Sequence, residues 1–232
     1  MIFDLTGAKD GILLVDKPAG WTSFDVVAKI RAQIRAEYRV RGERPTKRQL
    51  KVGHAGTLDP FATGLLVILL GDATKKAGEF LKLDKVYEAT FRLGQTSTTG
   101  DPEGEITNVS DNIPTREDVE AIFQQFVGEI TQIPPAYSAI KVNGQRAYKL
   151  AREGKEVEVP ERTVSIYSID LVEYTYPYVK IRTHVGSGTY IRTLGEDIGK
   201  ALGTGAYCHN LRRTVVGLSS IDAAMSPTQL TP

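Results

Sequence analysis

The stretch GHAGTLDPFATGLL, residues 53–66, governs how the rest of the chain reads. Gly53, Gly56 and Gly64 permit backbone conformations that other residues avoid, and Pro60 stiffens the chain directly after Asp59. The apolar run that follows, residues 65–70, is far too short to span a bilayer and reads as a buried strand. The loop is thus anchored on the core, and a carboxylate on a rigid loop at the mouth of a sheet is well placed for catalysis. Taken alone, an Asp-Pro pair more often merely starts a turn. The glycines lack the GxxxxGK[ST] and GxGxxG spacings of phosphate-binding loops. Neither Ser138 nor Ser187 sits in a G-x-S-x-G elbow.

Working outward, residues 11–16 (GILLVD) predict a short buried strand, ended by the turn Lys17-Pro18-Ala19-Gly20. Thr22 or Ser23 can cap a helix whose apolar positions are Phe24, Val27, Ile30 and Ile34. A basic stretch continues that helix and breaks near Gly42 and Pro45. Beyond the loop, the pattern predicts a helix over 72–81 and an alternating strand over 87–93. Thr115, with Asp118 three residues on, caps a helix with Val119, Ile122, Phe123 and Phe126 on its apolar face. Hairpin-like strands around Ile130 and Ile140, joined through Pro134-Pro135, precede a short helix over 145–152. Long alternating strands cover 163–174 and 178–184, a turn leads into a helix over 188–201, and a last strand covers 207–218. Strands and helices mix without strict βαβ alternation, which predicts an α+β fold with a mixed, largely antiparallel central sheet and flanking helices.

The 232 residues read as one catalytic domain, 1–232, without repeat or linker. The net charge of +1 conceals a polarised distribution. Residues 31–51 hold eight basic and two acidic side chains, a local charge of +6, which leaves 21 basic and 26 acidic residues elsewhere. Such a chain can turn one cationic face to a polyanion, although a solvated basic loop has the same composition. One cysteine, Cys208, and a start with no signal-peptide pattern point to a reducing cytoplasm. His54, His184 and His209 stand apart, so no metal is expected.

Residues 53–66 resemble the signature loop of TruB-type pseudouridine synthases, in which the aspartate before the proline is catalytic. Five further segments agree in family order: residues 11–27 (GILLVDKPAGWTSFDVV), 85–94 (KVYEATFRLG), 134–154 (PPAYSAIKVNGQRAYKLAREG), 186–199 (GSGTYIRTLGEDIG) and 211–217 (LRRTVVG). The resemblance implies a pseudouridine synthase fold and conversion of a uridine in the T-arm loop of transfer RNA (its position 55) to pseudouridine. It requires no cofactor and no obligate protein partner. By the same resemblance Asp59 is the catalytic carboxylate and Arg192 its paired cation. Tyr87 stacks on the flipped uracil, Tyr190 and Leu211 line the base pocket, and His54 lies near the flipped-out nucleotide. Each has a structural alternative, as strand packing for Tyr87, core for Leu211 and a loop histidine for His54. Asp101 falls where the family often has an acidic residue, and equally where a turn aspartate is natural.

RNA contacts are expected of Lys17, Arg39, Arg41, Arg44, Lys47, Arg48, Lys141, Arg212 and Arg213, because phosphate neutralisation dominates such binding. The basic stretch 31–51 reads as an insertion relative to the family, and the chain ends before the C-terminal PUA-like domain of many relatives. Two rivals use the same motifs. One is a chaperone of transfer RNA folding in which modification is secondary, and the other is the guide-RNA-dependent synthase of a ribonucleoprotein particle.

Overall fold

Residues 11–135, 137–138, 141–142, 144–146, 150, 153 and 159–227 are described by a computed structural model. The chain divides into two compact units, residues 1–87 with 212–232 and residues 88–211.

In the first unit the apolar run becomes a strand whose last seven residues are all buried. Burial on both faces explains why the sequence there shows no alternation. Strand β1 (Gly11–Lys17) lies antiparallel to it, from Gly11 opposite Leu70 to Lys17 opposite Gly64. Helix α1 (Ser23–Val40) follows, capped by Thr22, whose side chain accepts from the Asp25 amide while Asp25 reaches back. A cap of this kind contributes about 1 kcal/mol. Val26, Val27, Ile30, Ile34 and Tyr38 form its buried stripe. Phe24, expected on that stripe, is instead 60% exposed. The buried row runs 26-30-34-38 at i, i+4 spacing, and Phe24 falls off it beneath the Arg31 guanidinium, 5.7 Å from its ring centre. The helix ends where the glycine suggests, with the Gly42 amide donating to Arg39 O and Gly42 at φ 70°.

Strand β2 (Val52–Ala55) pairs antiparallel with residues 67–70 of β3 (Thr63–Leu70). The helix expected over 72–81 is split into a 3-10 turn, Gly71–Lys76, and α2 (Ala77–Lys82). Ala55, Leu65, Val67, Leu69 and Val216 form a cluster covered by Leu14, Ala73, Ala77, Phe80, Ile221 and Ala224. Each fully buried Leu or Val contributes about 1.5–3 kcal/mol.

In the second unit, β4 (Lys85–Leu93) alternates as its sequence suggests, with Ala89, Phe91 and Leu93 buried. A hairpin of β5 (Gln95–Ser97) and β6 (Ile106–Asn108) leads to α3 (Arg116–Phe123), capped by Thr115 and Asp118 as expected. Strand β7 (Gly128–Gln132) forms at the first of the two expected hairpin strands, while Ile140, on the second, lies outside the described residues. Strand β7 pairs with a strand some 30 residues further on, Arg162 lying opposite Gln132. Strands β8 (Lys141–Val142) and β9 (Gln145–Arg146) form a small ladder of their own. Gln145 and Arg146 are therefore strand where a helix over 145–152 was expected, and most of that range lies outside the described residues. The long strands β10 (Arg162–Thr175) and β11 (Tyr178–Val185) pair antiparallel. Helix α4 (Ile191–Ala201) packs so closely that a Cβ on Gly195 would lie 2.6 Å from the Phe91 ring.

Strand β12 (Ala206–Val216) closes the pattern. Its residues 212–213 run parallel to the start of β3, while the ladders of β1 and β2 on β3, and of β7 and β11 on β10, are antiparallel. The α+β, mostly antiparallel architecture follows.

Candidate active site

Within the first unit, the loop between β2 and β3 carries Asp59, and three side chains hold it from beneath. Ser23 is buried, and its hydroxyl accepts from the Leu58 amide at 2.9 Å and donates to Leu58 O at 3.1 Å. Lys17 is fully buried, and its Nζ donates to Trp21 O at 2.6 Å, Pro18 O at 2.9 Å and Pro60 O at 3.2 Å. The Gly20 amide reaches the same Pro60 oxygen at 2.8 Å. Arg213, 2% exposed, donates through Nε to Leu65 O at 2.8 Å and through Nη2 to Gly56 O at 3.0 Å. Both sides of Asp59 are thereby fixed, Leu58 by Ser23 and Pro60 by Lys17. Hydrogen bonds from a charged donor each contribute about 1.5–3 kcal/mol, which offsets the cost of burying the cation.

The glycines fit this clamp. Gly64, at φ 102°, lies so close to β12 that an added Cβ would be 2.2 Å from Arg213 O. Gly56, at φ 99°, lies beside the Arg213 guanidinium. Burial, with Arg213 nearby as a lesser cause, pulls the Lys85 ammonium down to about 8, against the opposing charge of Asp84. His54 sits on β2 opposite Ile68, and Tyr87 is buried on β4.

The burial of Lys17 and Arg213 corrects their expected role: cations spent on loop carbonyls inside the protein hold the loop and do not meet phosphate. Arg212 is partly exposed but forms a two-pronged pair with Asp16, at 2.7 and 3.1 Å. Arg39, Arg41, Arg44, Lys47 and Arg48 are all exposed, with Arg48 paired to Asp72 at 2.6 Å. Lys141 lies on β8.

Within the second unit, Arg192 near the start of α4 is 3% exposed. Its Nη1 donates to Thr99 O at 2.8 Å and to Asp101 Oδ2 at 3.1 Å, and Nη2 donates to Tyr137 O at 2.9 Å. Asp101 is equally buried, and Thr99 Oγ1 and the Glu103 amide donate to its other oxygen. It is no ordinary turn residue, because it fixes the guanidinium of Arg192. Glu196, one turn along α4, is pushed up to about 7 by burial. Arg192 pulls it down, while Asp197 and Asp101 add to the rise. Tyr190 is held through its backbone, its amide donating to Gln132 Oε1 and its carbonyl accepting from Gln132 Nε2, with the Arg162 guanidinium 4.9 Å from its ring centre. Leu211 is buried on β12.

Sequence reasoning does not single out Ser23 or Glu196 as a site residue, and it leaves Asp101 open between a site and a turn. Ser23 read only as a possible cap, a role that Thr22 takes. For Asp101 the available signal was its place after a strand, which a turn explains as well.

An aspartate on a loop held at both neighbouring residues, in an α+β scaffold, is an arrangement open to carboxylate chemistry. A family model described as TruB family pseudouridylate synthase (N terminal domain) matches residues 44–191. The chain is 47% identical over 221 residues to tRNA pseudouridine synthase B of Parabacteroides distasonis, covering 94% of this chain and 91% of that protein. It is 46% identical over 208 residues to the protein of the same name in Dechloromonas aromatica, covering 90% of this chain and 65% of that one. Among solved structures it resembles a chain of an archaeal box H/ACA sRNP Nop10–Cbf5 complex (28% identity, TM-score 0.67, 95% of this chain and 52% of that one). A Cbf5–Nop10–Gar1 complex gives 28% identity and a TM-score of 0.69, over 97% of this chain and 54% of that one. The chain belongs to the TruB family of pseudouridylate synthases.

Proposed function

We propose that this protein converts a uridine in the T-arm loop of transfer RNA to pseudouridine, with Asp59 as the essential carboxylate. The reaction breaks the N1–C1′ bond, turns the uracil and joins C5 to C1′; C5 gives up its proton and N1 gains one. Atoms are only rearranged, so no redox partner or nucleotide is consumed. A fixed carboxylate serves such a reaction because it can stabilise or capture the ribose carbon or base as the glycosidic bond opens. The observation that supports this reading is the clamp on Leu58 and Pro60, which fixes the backbone on both sides of Asp59 without depending on the RNA. The motif assignments of His54, Tyr87, Tyr190, Arg192 and Leu211 complete it. Extruding the target base costs a few kcal/mol, which a stacking ring such as that of Tyr87 would offset.

Transfer RNA is favoured as the substrate because the relatives at 46–47% identity are named for it, whereas the H/ACA chains stand at 28%. A cytoplasmic site of action fits the single cysteine; among the described residues, no helix is long and apolar enough to cross a membrane. The test is base-resolved mapping of pseudouridine in an unmodified transfer RNA transcript. The wild type should modify one T-loop uridine. Asp59→Asn should lower the rate by on the order of a thousandfold or more, with RNA affinity within a few-fold. Tight binding without pseudouridine in the wild type would support the chaperone reading instead.

A further inference from the structure

We infer that residues 35–51 form a second contact surface, for the sugar-phosphate backbone of the same RNA that presents the target uridine; this rests on the RNA-modifying reading above. Arg31, Arg35 and Arg39 recur at i, i+4 spacing on α1, where like charges destabilise a helix by about 0.2–0.5 kcal/mol per pair. The helix dipole compensates only in the last turn, at Arg39. The acidic neighbours, Glu37 and Glu43, are outnumbered by eight basic side chains within residues 31–51, which leaves a local charge of +6. Arg31 is used internally, donating to Val52 O at 2.6 Å and covering Phe24, and Arg48 pairs with Asp72. Arg35, Arg39, Arg41, Arg44 and Lys47 are left exposed.

The segment is also held in shape. Tyr38 is buried, and the Glu43 amide donates to Tyr38 O at 2.9 Å. Thr46 and Gln49 exchange side-chain and backbone hydrogen bonds, and the Leu50 amide closes a helical turn on Thr46 O. Tied in this way, the cations are presented at little entropic cost on binding. Lys51 leads directly into β2, whose four residues span about 13 Å before the Asp59 loop begins. That is a few nucleotide spacings, at about 3.4 Å per nucleotide of a strand. A phosphate backbone is the partner that matches a dense, arginine-rich, ordered surface at that range.

The experiment replaces Arg35, Arg39, Arg44 and Lys47 together by Gln and measures affinity for the transfer RNA transcript between 0.05 and 0.3 M salt, on the order of the range where phosphate contacts dominate. The log–log salt slope should fall by about three to four, and affinity at moderate salt should drop on the order of tenfold or more. A companion in which the three arginines become Lys, leaving Lys47, keeps the charge and should keep the slope. Circular dichroism melts confirm that both remain folded. An unchanged slope and affinity in the folded Gln variant overturn the inference, as does an equal loss in the Lys companion. Pseudouridine formation by the wild type is scored separately. A wild type that binds but makes none, with the slope difference intact, would remove the catalytic reading and leave this surface standing.

Discussion

Lys17 shows how much of this site is built from residues that never meet substrate. Lysine is among the side chains least often fully buried, yet here its ammonium is enclosed and shared among three carbonyls on either side of the turn. Nothing in the letters KPAG distinguishes a lysine that holds a loop from one that binds phosphate, because both need only a cation beside a turn. The same ambiguity hid Arg213, whose neighbour Arg212 is partly exposed while its own side chain is not. Position along a strand separates them: adjacent residues point to opposite faces. Lys17→Met keeps the length and apolar stem but takes the ammonium donor from Trp21 O and Pro18 O and leaves Pro60 O with the Gly20 amide alone. We expect a loss of about 2–4 kcal/mol in chemical denaturation, from unmet buried acceptors. Turnover should fall more than apparent RNA affinity, since the carboxylate loses its support while RNA contacts elsewhere persist. A variant equally stable and active would show that Pro60 and Asp59 hold their positions without Lys17.

Elements were legible where a periodic pattern and a cap agreed. Thr22 with Asp25 and Thr115 with Asp118 mark two helix starts in the letters themselves, and both capping boxes form. Strand partners were not, since alternation specifies a face and says nothing of the neighbour; that β7 pairs with β10 is not in the letters. Helix α4 carries a further property that its sequence did not reveal. Glu196 faces the Asp101–Arg192 pair, and Gly100 is at φ 72°, where a Cβ would lie 2.6 Å from Glu196 Oε1. Its folded-state pKa, about 7, exceeds the ordinary glutamate value of 4.5. Between those values the unfolded chain has released the proton and the folded one retains it, so stability falls as pH rises through that window. Glu196→Gln should flatten this dependence and raise stability at pH 8 relative to the wild type, by on the order of 1–3 kcal/mol. Thermal melts between about pH 5 and 8 decide it. Parallel curves for the two proteins would mean that Glu196 ionises as readily in the folded state as in the unfolded one.

At the scale of the whole molecule the telling quantity is where charge lies, not how much there is. The formal charge of +1 predicts indifference to polyanions, whereas +6 within residues 31–51 predicts a strong local field. Composition does not choose between a solvated loop and a binding face, because both need only basic letters; the hydrogen bonds that order residues 38–51 support the proposal of a binding face. Charge number and charge placement can be separated on a phosphocellulose matrix at about 0.1 M salt. The wild type should be retained despite its near-zero net charge. Replacing Arg35, Arg39, Arg44 and Lys47 by Gln takes the formal charge from +1 to −3 and should abolish retention. Replacing the exposed Lys76, Lys82, Arg182 and Lys200 by Gln gives the same −3. This second variant should stay bound, because its cationic face is untouched and screening beyond about 10 Å mutes the remaining charges. Identical elution of the two variants would show that the matrix senses total charge alone, and the field of residues 31–51 would then have no privileged part in drawing RNA to the Asp59 loop.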